Sequence, residues 1–103
     1  MPVYVIWESH FPAEHAAAGL EVTEAIWRDM GHFAGYLGHE LIRDAADSGH
    51  LFVVSRWVSQ QVADEVRDRY AKNPNALRAT ALVREPRRRV VGVAVGGSRL
   101  TSA

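Results

Sequence analysis

The sequence predicts an α+β domain of ferredoxin-like order, β-α-β-β-α-β, in which two helices cover one face of a four-stranded antiparallel sheet. Three observations carry this expectation. Four runs rich in β-branched and aromatic residues recur along the chain, two stretches with apolar residues three and four apart separate them, and the middle two runs are joined by a short polar turn. With 103 residues, 48% of them apolar and 23% charged, the chain has the length and composition of one soluble globular domain, expected over residues 1–95 with a tail over 96–103.

Val3–His10 is the first strand, with Val3, Val5, Trp7 and Ser9 on one face and Tyr4, Ile6, Glu8 and His10 on the other. Both faces begin apolar, so both need a cover, and one short chain has few elements to supply it. Phe11-Pro12 breaks the strand, and Ala13–Gly31 follows as a helix with Leu20, Thr23, Ile26, Trp27 and Met30 on its inward stripe. Gly35–Ala45 is the second strand: Leu37, His39 and Leu41 face one way, Tyr36, Glu40 and Ile42 the other, and Gly38 permits a bulge. The polar turn from Asp44 to Gly49 makes an antiparallel hairpin with Leu51–Trp57, an apolar run suited to a central strand.

Ser59 is an N-cap candidate for a second helix, Ser59–Lys72, with Val62, Val66 and Tyr70 inward. Asn73-Pro74-Asn75 stops it. Ala76–Leu82 adds one or two helical turns, and Pro86 delays the last strand to Arg88–Val95. The second face of the first, third and last strands is as apolar as the first, and a patch of that size predicts two sheets packed face to face in a homodimer.

Twelve basic residues balance twelve acidic ones, so no strongly basic face invites nucleic acid; Arg84, Arg87, Arg88 and Arg89 read as a solvated strand edge or a salt-bridging rim rather than a phosphate site. The absence of cysteine removes disulfides, thiolate nucleophiles and cysteine-based metal sites. No apolar run approaches a membrane span and no secretory signal is visible, which predicts a cytoplasmic protein with no membrane partner.

The strand–helix junction at Trp57 is where a pocket is expected. Trp57 shares a strand face with Val53 and Ser55, and either stacks on a flat substrate or plugs the junction. Trp27 and Val66, on the inward stripes of the two helices, complete the expected substrate-binding set. Tyr70 has a hydroxyl that needs a partner when buried, Arg78 lies near the open end of the sheet, and His39 faces with Leu37 and Leu41 as the histidine best placed for a buried role. The other four histidines, His10, His15, His32 and His50, fall at ends and turns and read as exposed. No spacing matches a metal site, so no protein-bound metal is expected.

Gly35-Tyr36, Asp44, Val53-Val54-Ser55-Arg56-Trp57 and Pro86 together resemble the antibiotic-biosynthesis monooxygenase family of dimeric α+β barrels, over residues 3–95. The resemblance implies a homodimer with one pocket per subunit between the sheet and its own helices. Members include cofactor-independent oxygenases of aromatic polyketides and quinols, and haem-degrading enzymes. Trp57 matches a tryptophan of both groups. Val53 stands where the family's defining oxygenase has asparagine; the haem degraders' histidine falls near Arg67, and Val3–His10 lacks their asparagine.

The expected function is therefore a monooxygenase that joins O₂ to a small phenolic or quinol-type aromatic substrate without cofactor, flavin or metal. Trp57 would be its stacking wall, Tyr70 and Arg78 its polar orienters or anion stabilisers, and His39 its base. A non-catalytic dimeric barrel that binds a small apolar ligand is the second reading, and a haem-binding protein the third.

Overall fold

The computed structural model describes residues 1–98. The remainder of the tail expected over 96–103 lies outside the described residues. Strand β1 (Val3–His10) leads through a single 3₁₀ turn (Ala13–His15) into helix α1 (Ala16–Met30), and β2 (Tyr36–Arg43) and β3 (His50–Trp57) form the hairpin. Helices α2 (Gln60–Tyr70) and α3 (Pro74–Leu82) then precede β4 (Arg88–Gly92). The sheet order is β2-β3-β1-β4 with every neighbouring pair antiparallel, which is the expected ferredoxin-like α+β fold.

Residues directly opposite in antiparallel strands share a face. Val5 lies opposite Ser55 and Val91, while Trp7 lies opposite Val53 and Arg89. This row points toward the helices, where Val5, Val53 and Trp57 pack with Val22, Ile26, Trp27 and Met30 of α1 and Val66 and Tyr70 of α2. Full burial of each large apolar side chain contributes about 1.5–3 kcal/mol, so this layer holds the domain together. Helix α1 also buries Val22 completely, a residue outside the expected stripe.

Local chemistry fixes the boundaries. Ser59 caps α2 by accepting a hydrogen bond from the Val62 amide at 3.2 Å. The Asn73-Pro74 pair that ends α2 also starts α3: the Asn73 side chain accepts from the Asn75 amide at 2.8 Å, and proline occupies the first turn, where its missing N–H costs nothing. The third helix is accordingly longer than expected. The last strand is shorter, ending at Gly92, and residues 93–98 have no regular structure.

A bulge between Tyr36 and Gly38, where φ reaches +135°, breaks the alternation of β2. Tyr36 consequently joins the helix-side row opposite Trp57, and Leu37 is left 46% exposed, the reverse of the alternation expected from sequence. Gly49 is required by close approach, since a Cβ there would lie 2.0 Å from the Phe11 carbonyl oxygen, and the Phe11 amide donates to the Gly49 carbonyl at 2.7 Å. The opposite face of the sheet carries no helix. Tyr4, Ile6, Phe52 and Val54 are half-buried there, and Ile42 and Val90 are each 43% exposed.

Candidate functional site

Between the sheet and its helices lies a cavity of about 290 Å³. It exists because the helices present small side chains where the sheet presents large ones. Ala63 and Ala71 of the α2 region and Ala76 and Ala79 of α3 leave space above Trp7, Val53 and Trp57, and Trp27, Ile26 and Met30 of α1 close the side. Aromatic walls with few polar groups suit a flat apolar ligand.

Trp57 is oriented by a hydrogen-bond chain. Its Nε1 donates to Ser55 Oγ at 3.1 Å, and Ser55 Oγ donates to the Val5 carbonyl at 2.9 Å. The indole is 3% exposed, and its only donor is committed within the core, leaving the ring to face the cavity. Tyr70 is held in the same way, its hydroxyl donating to Asp29 Oδ2 at 2.5 Å with Asn75 Nδ2 at 3.4 Å from the same oxygen. Burial, and then the Asp29 carboxylate, push the Tyr70 phenol up to about 12. It stays protonated through the neutral range, able to accept a hydrogen bond but not a proton.

Three guanidiniums border the cavity. Arg67 reaches Asp68 at 3.0 Å on the exposed side of α2. Arg89 is 14% exposed and donates through Nη2 to Asp64 at 2.8 Å, while its buried Nε has no hydrogen-bond partner. Arg87 donates to Thr80 Oγ1 at 3.0 Å, and burial lowers its pKa. Arg87 and Arg89 both lie over the Trp7 ring, at 5.4 and 5.7 Å from its centroid.

The expected substrate-binding residues Trp57, Val53, Trp27 and Val66 line this cavity together with Tyr70. Ser55 lies behind the wall and acts on the cavity only through Trp57. His39 and Arg78 are placed elsewhere. His39 shares the helix-side row but sits exposed on edge strand β2, bonded to the Tyr36 hydroxyl and tilted against Trp27 at 5.4 Å; partial desolvation lowers its pKa. The expected burial of His39 is thus corrected: its strand is the outermost of the sheet, with a neighbouring strand on one side only. Arg78 is 49% exposed on α3 and lies 3.9 Å from Glu21. The basic groups at the cavity are instead Arg67, Arg87 and Arg89; the sequence placed the last two on a solvated strand edge or salt-bridging rim, and Arg89 does make such a bridge, to Asp64. The alternation of β4 carries a signal for Arg87 and Arg89, since Arg89 shares parity with Val91, but the parity that faces the helices is set by pairing with β1.

A second polar cluster occupies the rim of the helix-free face. His50 Nε2 lies 2.7 Å from Glu8 Oε2 and its Nδ1 lies 2.9 Å from Asp44 Oδ2, while the His10 ring stacks on His50 at 4.1 Å. The His50 side chain is only 16% exposed, which corrects the expectation that it is exposed; strand pairing brings together groups 42 positions apart in sequence. Hydrogen bonds from the His50 ring to Asp44 and then to Glu8 raise the His50 pKa, and the bond from His50 holds Glu8 below the usual carboxylate range. Ligand atoms of Glu8, His10 and His50 lie within 4.8 Å of one another. The two rings are only 13° from parallel, so a single ion cannot lie in the plane of both, as metal–imidazole bonding requires.

Fold and site together define a ferredoxin-like α+β domain that encloses an aromatic-walled cavity under its helices. The antibiotic biosynthesis monooxygenase family model matches residues 2–71, and the chain belongs to that family. No curated protein matches by sequence. Among solved structures, a variant of SnoaB, a cofactor-independent oxygenase from Streptomyces nogalater, is similar with a TM-score of 0.81 and 14% identity, covering 93% of this chain and 95% of that one. Rv0793 from Mycobacterium tuberculosis has a TM-score of 0.76 and 21% identity, covering 96% and 100%. A further antibiotic biosynthesis monooxygenase has a TM-score of 0.75 and 18% identity, covering 91% and 99%. At these identities the likeness is one of fold. No helix among the described residues is long and apolar enough to cross a membrane.

Proposed function

We propose that the protein is a cofactor-independent monooxygenase acting on a flat phenolic or quinol-type substrate bound in the cavity under its helices. The observation that carries this reading is the cavity itself, in which Trp7, Trp27, Trp57 and Tyr70 border a space of about 290 Å³. A substrate of this class supplies its own electrons. For an activated ring CH₂, O₂ delivers one oxygen to carbon as C=O and the other leaves as water with the two hydrogens, so four electrons pass from substrate to O₂ with no flavin or metal. Trp57 would hold the ring plane, Tyr70 would accept a hydrogen bond from it, and the guanidiniums would favour the substrate anion that reacts with O₂. Two copies would pair through their helix-free faces, covering Ile6, Phe52, Val54 and Val90.

One observation favours a second reading, that the same dimer binds a ligand without transforming it. Among the described residues no imidazole or carboxylate borders the cavity, so deprotonation has no protein base there. Oxygen uptake separates the two. Protein stripped of flavin and metal is expected to accelerate O₂ consumption by an anthrone or quinol, and Trp57→Ala to slow it at least about tenfold by loosening the substrate. Quenching of tryptophan emission by the same compounds without O₂ uptake would select the binding role.

A further inference from the structure

The charge at one end of the cavity narrows the ligand beyond its aromatic character. Trp7, Arg87 and Arg89 make a cationic wall at the β4 side, where the two guanidiniums lie over the same indole. Only one carboxylate answers them: Asp64 binds Arg89 at 2.8 Å. Arg87 has the neutral Thr80 hydroxyl as its partner, and among the described residues no carboxylate lies within ion-pair distance of it. No acidic residue borders the cavity. One positive charge therefore remains uncompensated beside an apolar space, where water screens it poorly and an unpaired charge is costly.

We propose that Arg87 and Arg89 form an anion-recognition end of the cavity and that the ligand is an aromatic carboxylate, its ring between the tryptophan walls and its ionised carboxyl against the guanidiniums. This rests on reading the cavity as the substrate site. The physical case is complementarity. A guanidinium offers a planar fork of N–H donors matched to two carboxylate oxygens, and stacking on Trp7 fixes both forks before the ligand arrives. Asp64 holds Arg89 from the outer side, so Arg89 is positioned by a charge already present, and Arg87 supplies the unmatched one. The cavity lining has a different polar group as well, Tyr70, whose hydroxyl proton is committed to Asp29. A ligand carrying a carboxylate and a separate phenolic O–H satisfies both.

Tryptophan emission provides the test, because Trp7, Trp27 and Trp57 border the cavity. The probes are 2-naphthoate and 2-naphthamide, which share a ring system and differ in charge. The wild-type protein is expected to bind the carboxylate at least about tenfold more tightly, the margin of one charge-assisted hydrogen bond. Arg87→Gln should bring that ratio close to one by weakening the carboxylate and leaving the amide unchanged, and Arg87→Lys, which keeps the charge and loses the fork, should fall between. Equal binding of the two probes by wild type, or a preference that survives Arg87→Gln, overturns the proposal and leaves the oxygenase reading intact. Failure of both probes to bind overturns it together with the reading of this cavity as a ligand site. Loss of O₂ uptake with the carboxylate preference retained would remove the oxygenase reading alone.

Discussion

Strands β1 and β3 send neighbouring residues into two different environments. Val5 is 1% exposed and Val53 is 3% exposed beneath the helices, whereas Ile6 and Val54, one residue further along each strand, are half-buried on a face with no helix. Both rows are apolar, yet one is packed and the other is not. The packed face is also the imperfect one, since alanines in α2 and α3 leave a cavity over Trp7 and Trp57. The helix-free face has continuous apolar surface bounded by the His50 cluster. Apolar content alone thus does not locate a core; the elements that cross above the sheet divide its surface into core, cavity and an apolar face without a helix.

The largest effect expected is a contrast between neighbours. Val5→Asp places a charge with no partner inside the core and should cost more than about 4 kcal/mol, enough to unfold a domain of this size in urea or on mild warming. Ile6→Asp should leave the fold intact by circular dichroism and, with the helix-free faces paired as proposed, halve the mass measured by light scattering. An unchanged mass would mean that this face is not where copies pair.

Next in size is a change inside the cavity. Ala79 is 1% exposed and borders the space, so Ala79→Leu adds its side chain to volume that is already empty. Stability should stay within about 2 kcal/mol of wild type, while quenching of tryptophan emission by aromatic ligands is lost. If the ligand still binds with unchanged affinity, its site lies elsewhere. Ser55→Ala is a smaller perturbation of the same wall. Removing the hydroxyl strands the Trp57 indole N–H, and the expected loss is about 1–3 kcal/mol in chemical denaturation, with a shift in tryptophan emission.

These contrasts also mark what the chain declares locally. Strand and helix positions follow from alternation and three-four spacing, and the order β-α-β-β-α-β follows from them, because each signal lies within one segment. Trp57, Val53, Trp27, Val66 and Tyr70 were legible as cavity residues for the same reason: each is on the inward side of its own element. The exposure of His39 was not legible, because which strand lies at the sheet edge is decided by long-range pairing. Tyr36 and Leu37 exchanged faces at a bulge that Gly38 permits but does not dictate. Arg87 and Arg89 required the β1–β4 register, and the Glu8–His50 contact required pairing across 42 positions.

The smallest expected effect tests the rim of the helix-free face. His50 gains hydrogen bonds to the Asp44 and Glu8 carboxylates on folding, so its folded pKa exceeds 6.5. Its contribution to stability is fully present below about pH 6.5 and is lost as pH rises through the higher folded value. Glu8 and Asp44 move the other way. Their folded pKa values lie below 4.5 and 3.8, so their contribution is present above those values and is lost as pH falls through the folded ones. The cluster therefore stabilises most between about pH 4.5 and 6.5, with all three groups charged. Proton NMR titration should place the His50 imidazole above the ordinary histidine value, and Asp44→Asn and Glu8→Gln should each lower it. A His50 pKa that ignores both substitutions would mean that the two carboxylates do not hold the ring, and that the rim differs from the cavity only in exposure and not in charge.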